Sequence, residues 1–338
     1  MKRTHFSIVI FIAFTLIGPS LWAGGSEENL SPPVLDVYCY DSFSSEWGPG
    51  GAIAEAFKKE TGIEVVFHAP GDAVTVLNQL ILEGSDTIAD VVVGLDESLL
   101  ERSLNSGILD VYDSPALSEL PEDLVFDESR HMLPFDYGHF AVCYDSDSVD
   151  DPPTSLEDLT SPRFKDSLIL MDPRTSSPGM GFFLWTVAVY GEGWPDYWER
   201  LKPSILTISD GWSQGYALFT SGEAPLVLSY GTSPVYHAEY EGSTRYLAAE
   251  FTDGHIRQVE GMGVVAGTDN PTEARAFIDF MLGTEAQRVL AMSNIMLPVN
   301  PMVELPESFD FAMRPKTTLS LPEADEALVD RWIEVFSR

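Results

Sequence analysis

The sequence predicts an α/β protein of two lobes, with a hinge between them and a ligand cleft at their interface. Strand-like and helix-like patterns alternate from residue 34 to about residue 109 and again from about 165 to 230, so two parallel-sheet units are expected. A long strand-like run at 132–145 leads out of the first unit, and "GHIRQVEGMGVVAG" (254–267) precedes the return. The chain should therefore cross between lobes at about 135–142 and again near 255–263. A length of 338 residues suits two domains of ordinary size.

In chain order, "VLDVYCY" (34–40) alternates as a strand, and "GGAIAEAFKKETG" follows with helical spacing and a glycine stop. "IEVVFHAP" and "ADVVVGLD" are further strands, with "AVTVLNQLILEG" and "ESLLERSLNSGIL" as helices. "MLPFDYGHFAVCYD" reads as the long strand, and "DDPPTSLEDL" as a turn feeding a helix. The second unit holds "SLILMD", "ILTIS" and "APLVLSYGTSP" as strands and "GWSQGYALFTSG" as a helix. An amphipathic stretch, "NPTEARAFIDFMLGTEAQRVLAM", then precedes a Pro-rich segment and a final helix from about Pro322. The expected division is 34–138 in the first lobe, 139–257 in the second, and 258–338 returning to the first.

In sheets of this kind ligands bind beyond the carboxyl ends of the strands. Those ends carry Asp41, Asp72 and Asp96, with Tyr40 and Trp47 close by. Each aspartate also has a cap or turn reading. On the second unit the candidates are Trp212, the run Tyr230 to Tyr236, and "DPRTSSPGMG" (172–181). Ser176 or Ser177 can cap the helix that follows, and Pro178 suits its first turn. Three hydroxyls with Gly179 and Gly181 exceed what a cap needs, and glycines leave backbone N–H groups uncovered, as an anion site at a helix start requires. Aromatic faces and carboxylates suit a flat cation, and the hydroxyl-rich helix start suits a phosphate.

The N-terminus has the order of an export signal: Lys2 and Arg3, an apolar run from Phe6 to Ile17, then small residues around Ala23. Residues 1–23 are read as that signal, and the mature protein as exported. A formal net charge of −34 argues against nucleic acid and favours a cationic ligand. Cys39 and Cys143, the only cysteines, each sit in an apolar strand-like run. Separate buried thiols suit these settings better than a pair, which stays open. No Gly-x-Ser-x-Gly, His-Glu-x-x-His, Cys-x-x-Cys or phosphate-binding Gly-Lys-Ser/Thr loop occurs. His237 and His255 come closest to the expected cleft, and no His or Cys has metal-ligand spacing.

"VYCYDSFSSEWGPG", "ADVVVGLDESLL", "PFDYGHFAVCYD", "DPRTSSPGMG", "GWSQGYALF" and "LVLSYGTSPVYH" resemble, in this order and spacing, the periplasmic thiamine-binding proteins of ABC importers. The resemblance runs from about Val34 to the C-terminus. It implies a type II periplasmic binding fold closing around thiamine, thiamine monophosphate or thiamine diphosphate. It also implies a permease of the inner membrane as partner, a monomer, a periplasmic location, and no catalysis, metal or cofactor. Carried over by position, the ligand contacts fall on Asp72, Ala73, Ser176, Ser177, Trp212, Tyr230, Gly231, Thr232, Ser233 and Pro234, with Tyr236 and Tyr40 completing the pocket. In the implied roles, Trp212, Tyr230 and Tyr236 face the rings. Asp72 accepts from the amino group or offsets the charge, and Ser176 and Ser177 hold a phosphate. The chain departs from the family at Ala73, where glycine is frequent, at Gly231, where threonine is, and at Ile295, where relatives can carry tryptophan. Two alternatives remain: a thiamine-degrading transferase with a cysteine nucleophile, and a binding protein for another solute such as ferric iron, with Tyr230 and Tyr236 as ligands.

Overall fold

The computed structural model describes residues 34–324 and 326–337, so the expected signal segment at 1–23 lies outside the described residues. The first run is β1 (Val34–Cys39), α1 (Gly50–Thr61), β2 (Glu64–His68), α2 (Ala73–Glu83), β3 (Val91–Asp96), α3 (Leu100–Ser106) and β4 (Leu109–Asp110). β1 pairs in parallel with β2 and β3. Every residue of β3 is buried, which matches its unbroken apolar run, because helices cover both faces of a parallel sheet. α1 stops at Gly62, whose φ of 78° lets its N–H turn back to the Lys58 carbonyl.

β5 (Leu133–Asp145) then leads into the second run: β6 (Leu168–Met171), α4 (Ser177–Tyr190), α5 (Trp194–Leu201), β7 (Ile205–Ser209), α6 (Trp212–Thr220), β8 (Leu226–Tyr230), α7 (Ser233–Tyr236) and β9 (Tyr246–Ala248). The chain returns through β10 (His255–Val265) to α8 (Pro271–Leu282), α9 (Thr284–Val289), β11 (Leu297–Pro298), β12 (Thr318–Leu319) and α10 (Glu326–Phe336). The strand order is β2-β1-β3-β10-β5-β8-β6-β7. β5 changes partner midway. Up to His139 it pairs with β10, and from Phe140 onward with β8. That switch joins the two halves of the sheet, and the cleft lies beside it.

Two main cores flank the switch. One gathers Phe43, Phe57, Phe135 and Phe277, and the other Phe140, Phe183, Trp185 and Trp198. Residues 258–338, expected to return to the first lobe as a block, are divided. α8 and α9 pack on the first core, but α10 packs on the second, with Trp332 at 5.5 Å from Trp198 and 6.3 Å from Phe183. The aromatic surface of α4 and α5 is what α10 covers. The helix expected after Pro152-Pro153 is only a 3-10 turn at Glu157–Thr160, since Pro162 follows and Asp158 accepts from the Thr154 N–H and hydroxyl. The amphipathic stretch breaks at Gly283 into α8 and α9. No helix among the described residues is long and apolar enough to cross a membrane.

Candidate functional site

A cleft of about 380 Å³ lies between the strand ends of the two halves. Tyr40, Asp72 and Ala73 line it from the first half, and Ser177, Trp212, Tyr230, Thr232, Ser233 and Tyr236 from the second. Three residues expected at the ligand do not line it. Ser176 is fully buried beneath the helix start. Gly231 is held in backbone bonds, donating to the His139 carbonyl at 2.8 Å and accepting from the Met313 N–H at 2.8 Å. Pro234 lies in the first turn of α7. These three shape the wall from behind.

Asp72 is the N-cap of α2, and one carboxyl oxygen accepts from the Ala73 N–H at 2.7 Å. The other accepts from the Trp212 N–H at 3.0 Å, across the cleft at the start of α6. Ser176 donates to the same carboxyl group. One carboxylate thus takes donors from both halves, placed where helix N-termini favour negative charge. Burial raises Asp72 to about 6, against the donors that hold it down. A second bond spans the cleft, from the Ser213 hydroxyl to Asp41 at 2.9 Å.

The opening of α4 answers why breakers precede so apolar a helix. Ser176 caps it, accepting from the Gly179 N–H at 3.5 Å, and Pro178 sits in its first turn. The glycines, however, serve packing. A Cβ on Gly179 would stand 2.5 Å from the Met171 carbonyl oxygen, and one on Gly181 would stand 2.1 Å from the Phe140 ring. The helix can approach the sheet only without those side chains, so the reading of Gly179 and Gly181 as exposed N–H donors is corrected. Ser177 differs from its neighbours: its hydroxyl is buried at the cleft wall and has no partner among the described residues.

Aromatic faces form much of the rest. Trp212 stacks on Tyr216 at 4.9 Å and donates its indole N–H to Ser229 at 2.8 Å. Trp47 stands 6.1 Å away at the rim. Tyr230 stacks on Phe140 at 5.4 Å. Tyr40 presents a ring edge to Gly94, whose φ is 95°. A Cβ there would come within 2.1 Å of the tyrosine ring, so Gly94→Ala is expected to displace Tyr40 and destabilise the fold by about 1–3 kcal/mol. Chemical denaturation of the ligand-free variant checks this, and unchanged stability would show that the ring moves freely.

Glu260, Asn294, Tyr216 and Glu241 line the cleft without having been singled out in the sequence. Glu260 accepts from the Tyr40 hydroxyl at 2.9 Å, and Asn294 donates to that hydroxyl at 2.9 Å and to Asp136 at 2.7 Å. Burial and the neighbouring carboxylates push Glu260 well above the usual range, and burial lifts Asp136 to about 8. Tyr216, His237 and Glu241 form a hydrogen-bonded chain along another wall, through distances of 2.8 and 2.7 Å. Ile295 lines the cleft at a φ of 56°, a strained setting for a β-branched residue. Asp96 is turned instead to Ser98 and Gln258. His255, expected near the cleft, sits in the second core, bonded to the Phe140 carbonyl and the Phe251 N–H. Cys39 and Cys143 are free and buried, and burial pushes each thiol up to about 12.

A sequence profile described as bacterial extracellular solute-binding protein matches residues 86–328. The chain belongs to that family. Within it, the chain is 38% identical to the thiamine-binding periplasmic protein of Brucella melitensis, over 98% of this chain and 99% of that one. It is 39% identical to the protein of the same name from Escherichia coli, over 90% and 94% of the two chains. A solved structure titled periplasmic thiamin binding protein superposes with a TM-score of 0.86 at 38% identity, covering 91% of this chain and 97% of that one. The ferric binding protein of Campylobacter jejuni shares the fold at 19% identity and a TM-score of 0.71. The relatives are binding proteins of the type II periplasmic fold.

Proposed function

We propose that this chain is the periplasmic solute-binding component of an ABC importer, capturing thiamine and handing it to a permease of the inner membrane as a monomer. One observation carries the reading: a single cleft joins tyrosine and tryptophan faces to buried carboxyl groups, with no lysine or arginine among its lining residues. Thiamine's thiazolium ring is a flat cation, and such faces attract a cation by about 0.5–2 kcal/mol each. The names of relatives that align over 90% or more of this chain agree. In this reading Trp212, Tyr230, Tyr236 and Tyr40 contact the rings, Ala73, Thr232 and Ser233 complete the wall, and Gly231 and Pro234 set its shape. Asp72 acts mainly as a clasp between the lobes, because three protein donors already use its carboxyl group.

The alternatives find less support. A cysteine nucleophile needs an accessible thiol with a lowered pKa, whereas both thiols are buried and raised. Tyr230 stacks on Phe140 and Tyr236 packs against His237 and Tyr240, and among the described residues no group of three His, Cys, Asp or Glu side chains stands by to complete a ferric site with them.

Calorimetric titration with thiamine, thiamine monophosphate and ferric citrate tests the reading. Thiamine is expected to bind and ferric citrate not to, and the reverse result would overturn the assignment. Ser177 gives the phosphate question a sharper form. Its free hydroxyl can donate to a charged oxygen, a bond of about 1.5–3 kcal/mol. Ser177→Ala should then cost thiamine monophosphate about tenfold or more in affinity and leave thiamine nearly unchanged. Equal losses for both ligands would place the phosphate elsewhere.

A further inference from the structure

Asp96, Glu260 and Asp136 lie side by side across three adjacent strands. The register sets Glu260 of β10 opposite Asp96 of β3 on one side and opposite Asp136 of β5 on the other. Directly opposed residues share a face, and like charges so placed repel. All three are buried, with exposures of 2%, 6% and 0%. Glu260 reaches the cleft wall.

The groups facing this row are themselves acidic or neutral. Tyr40 donates to Glu260, Asp72 and Tyr230 face it from the cleft, and Asn294 donates to one oxygen of Asp136. The other oxygen of Asp136 is buried without a hydrogen-bond partner. Asp96 takes the Gln258 amide, and Glu97 stands next to it. Arg257, also on β10, acts on Glu97 and is paired with Asp123. His139, further along β5, bonds Thr318. Two buried carboxyl groups opposed on adjacent strands, with no cation between them, repel, which favours one proton held by the pair.

We propose that Glu260 and Asp136 share a proton in the ligand-free protein and release it to solvent when a cationic ligand seats against Glu260. The ligand's charge replaces the proton's. Glu260 thereby selects for cations, and capture is linked to pH. A neutral molecule of the same shape gains nothing from this exchange, because the pair keeps its proton. The inference rests on the proposed function only in taking thiamine as the cation.

The test is calorimetry of the purified protein with thiamine in two buffers of different ionisation enthalpy, repeated from about pH 6 to about pH 9. The wild type should release about one proton per thiamine below about pH 8, with affinity rising up to about tenfold per pH unit there and levelling above. Glu260→Gln should abolish the release, and its preference for thiamine over a neutral analogue, with thiophene in place of the thiazolium, should fall at least about tenfold. Asp136→Asn should also abolish the release, and its cavity-facing surface is unchanged. Thiamine binding to wild type without proton release across the whole range would overturn this proposal alone. Full release retained in Glu260→Gln would overturn it too. Failure of thiamine to bind at any pH would overturn the proposed function and this proposal together. If either variant does not fold, the wild-type proton count still decides.

Discussion

Asp72→Ala is expected to weaken thiamine binding by about 1.5–3 kcal/mol, roughly 10- to 150-fold. The Asp72 carboxyl group is the one that accepts from Trp212 on the opposite side of the cleft, so its loss removes a charged acceptor from the closed form. The Trp212 N–H at the start of α6 is left without that partner. The same change removes the cap of α2, a cost of about 0.5–2 kcal/mol in stability. Calorimetry and a denaturation curve on one preparation separate the two effects. Unchanged affinity with lowered stability would reduce Asp72 to a cap.

Asp72→Asn isolates the charge. Burial raises Asp72 to about 6 from an ordinary 3.8. Between those values the folded chain holds a proton that the unfolded chain has lost. This contribution to stability is therefore complete below the unfolded value and is lost as pH rises through about 6. Asparagine carries no such slope. The stability difference between wild type and Asp72→Asn should change over that window and stay constant above it.

Trp185→Ala is expected to cost about 3–5 kcal/mol of stability, a large share of what a fold of this kind possesses. The side chain is fully buried, and its indole N–H donates to the Gly254 carbonyl at 2.9 Å. Its ring meets His255 at 4.9 Å and Phe251 at 5.2 Å. His255 bonds the Phe140 carbonyl, so Trp185 supports the point where β5 and β10 pass between the two halves. Truncation leaves a cavity there and an unpaired carbonyl. Denaturation must be followed without ligand, because thiamine would stabilise the folded state by mass action. Trp185→Phe should recover the packing but not the hydrogen bond. A loss below about 1 kcal/mol for Trp185→Ala would mean that the core collapses around the gap.

The first three strands were legible because period-two and unbroken apolar runs each state their own environment. Gly62 was legible as a helix stop, and Ser176 or Ser177 as a helix cap, for the same reason: backbone chemistry at helix ends is local. Trp212, Tyr230 and Tyr236 could be placed at strand ends or helix starts, where α/β sheets open, and the structure brings them into one cleft. Gly179 and Gly181 were misread because their reason lies in Met171 and Phe140, on strands packed against the helix. Nothing within the segment distinguishes a glycine that admits a ligand from one that admits a neighbouring strand. α10 joins the second core because Trp332 packs on Phe183 and Trp198, far upstream in the chain, a contact that no local stretch of the C-terminus shows.

By itself, the sequence determined the alternation of strands and helices, the two lobes, and the acidic, aromatic character of the cleft. It also carried the resemblance that names a ligand class. Each of these is written in neighbouring residues or in composition. Only the tertiary structure decided that Asp72 bridges two helix starts, that Ser177 and not Ser176 faces the cleft, and that Asp96, Asp136 and Glu260 stand in one row. Those three acids are far apart in the chain, and each taken alone is an unremarkable acidic residue in or beside a strand. Strand register brings them together, and register is set by pairing among β3, β10 and β5, which no local stretch of sequence contains. Burial then turns that proximity into chemistry, because carboxyl groups that water would keep independent must share charge once water is excluded.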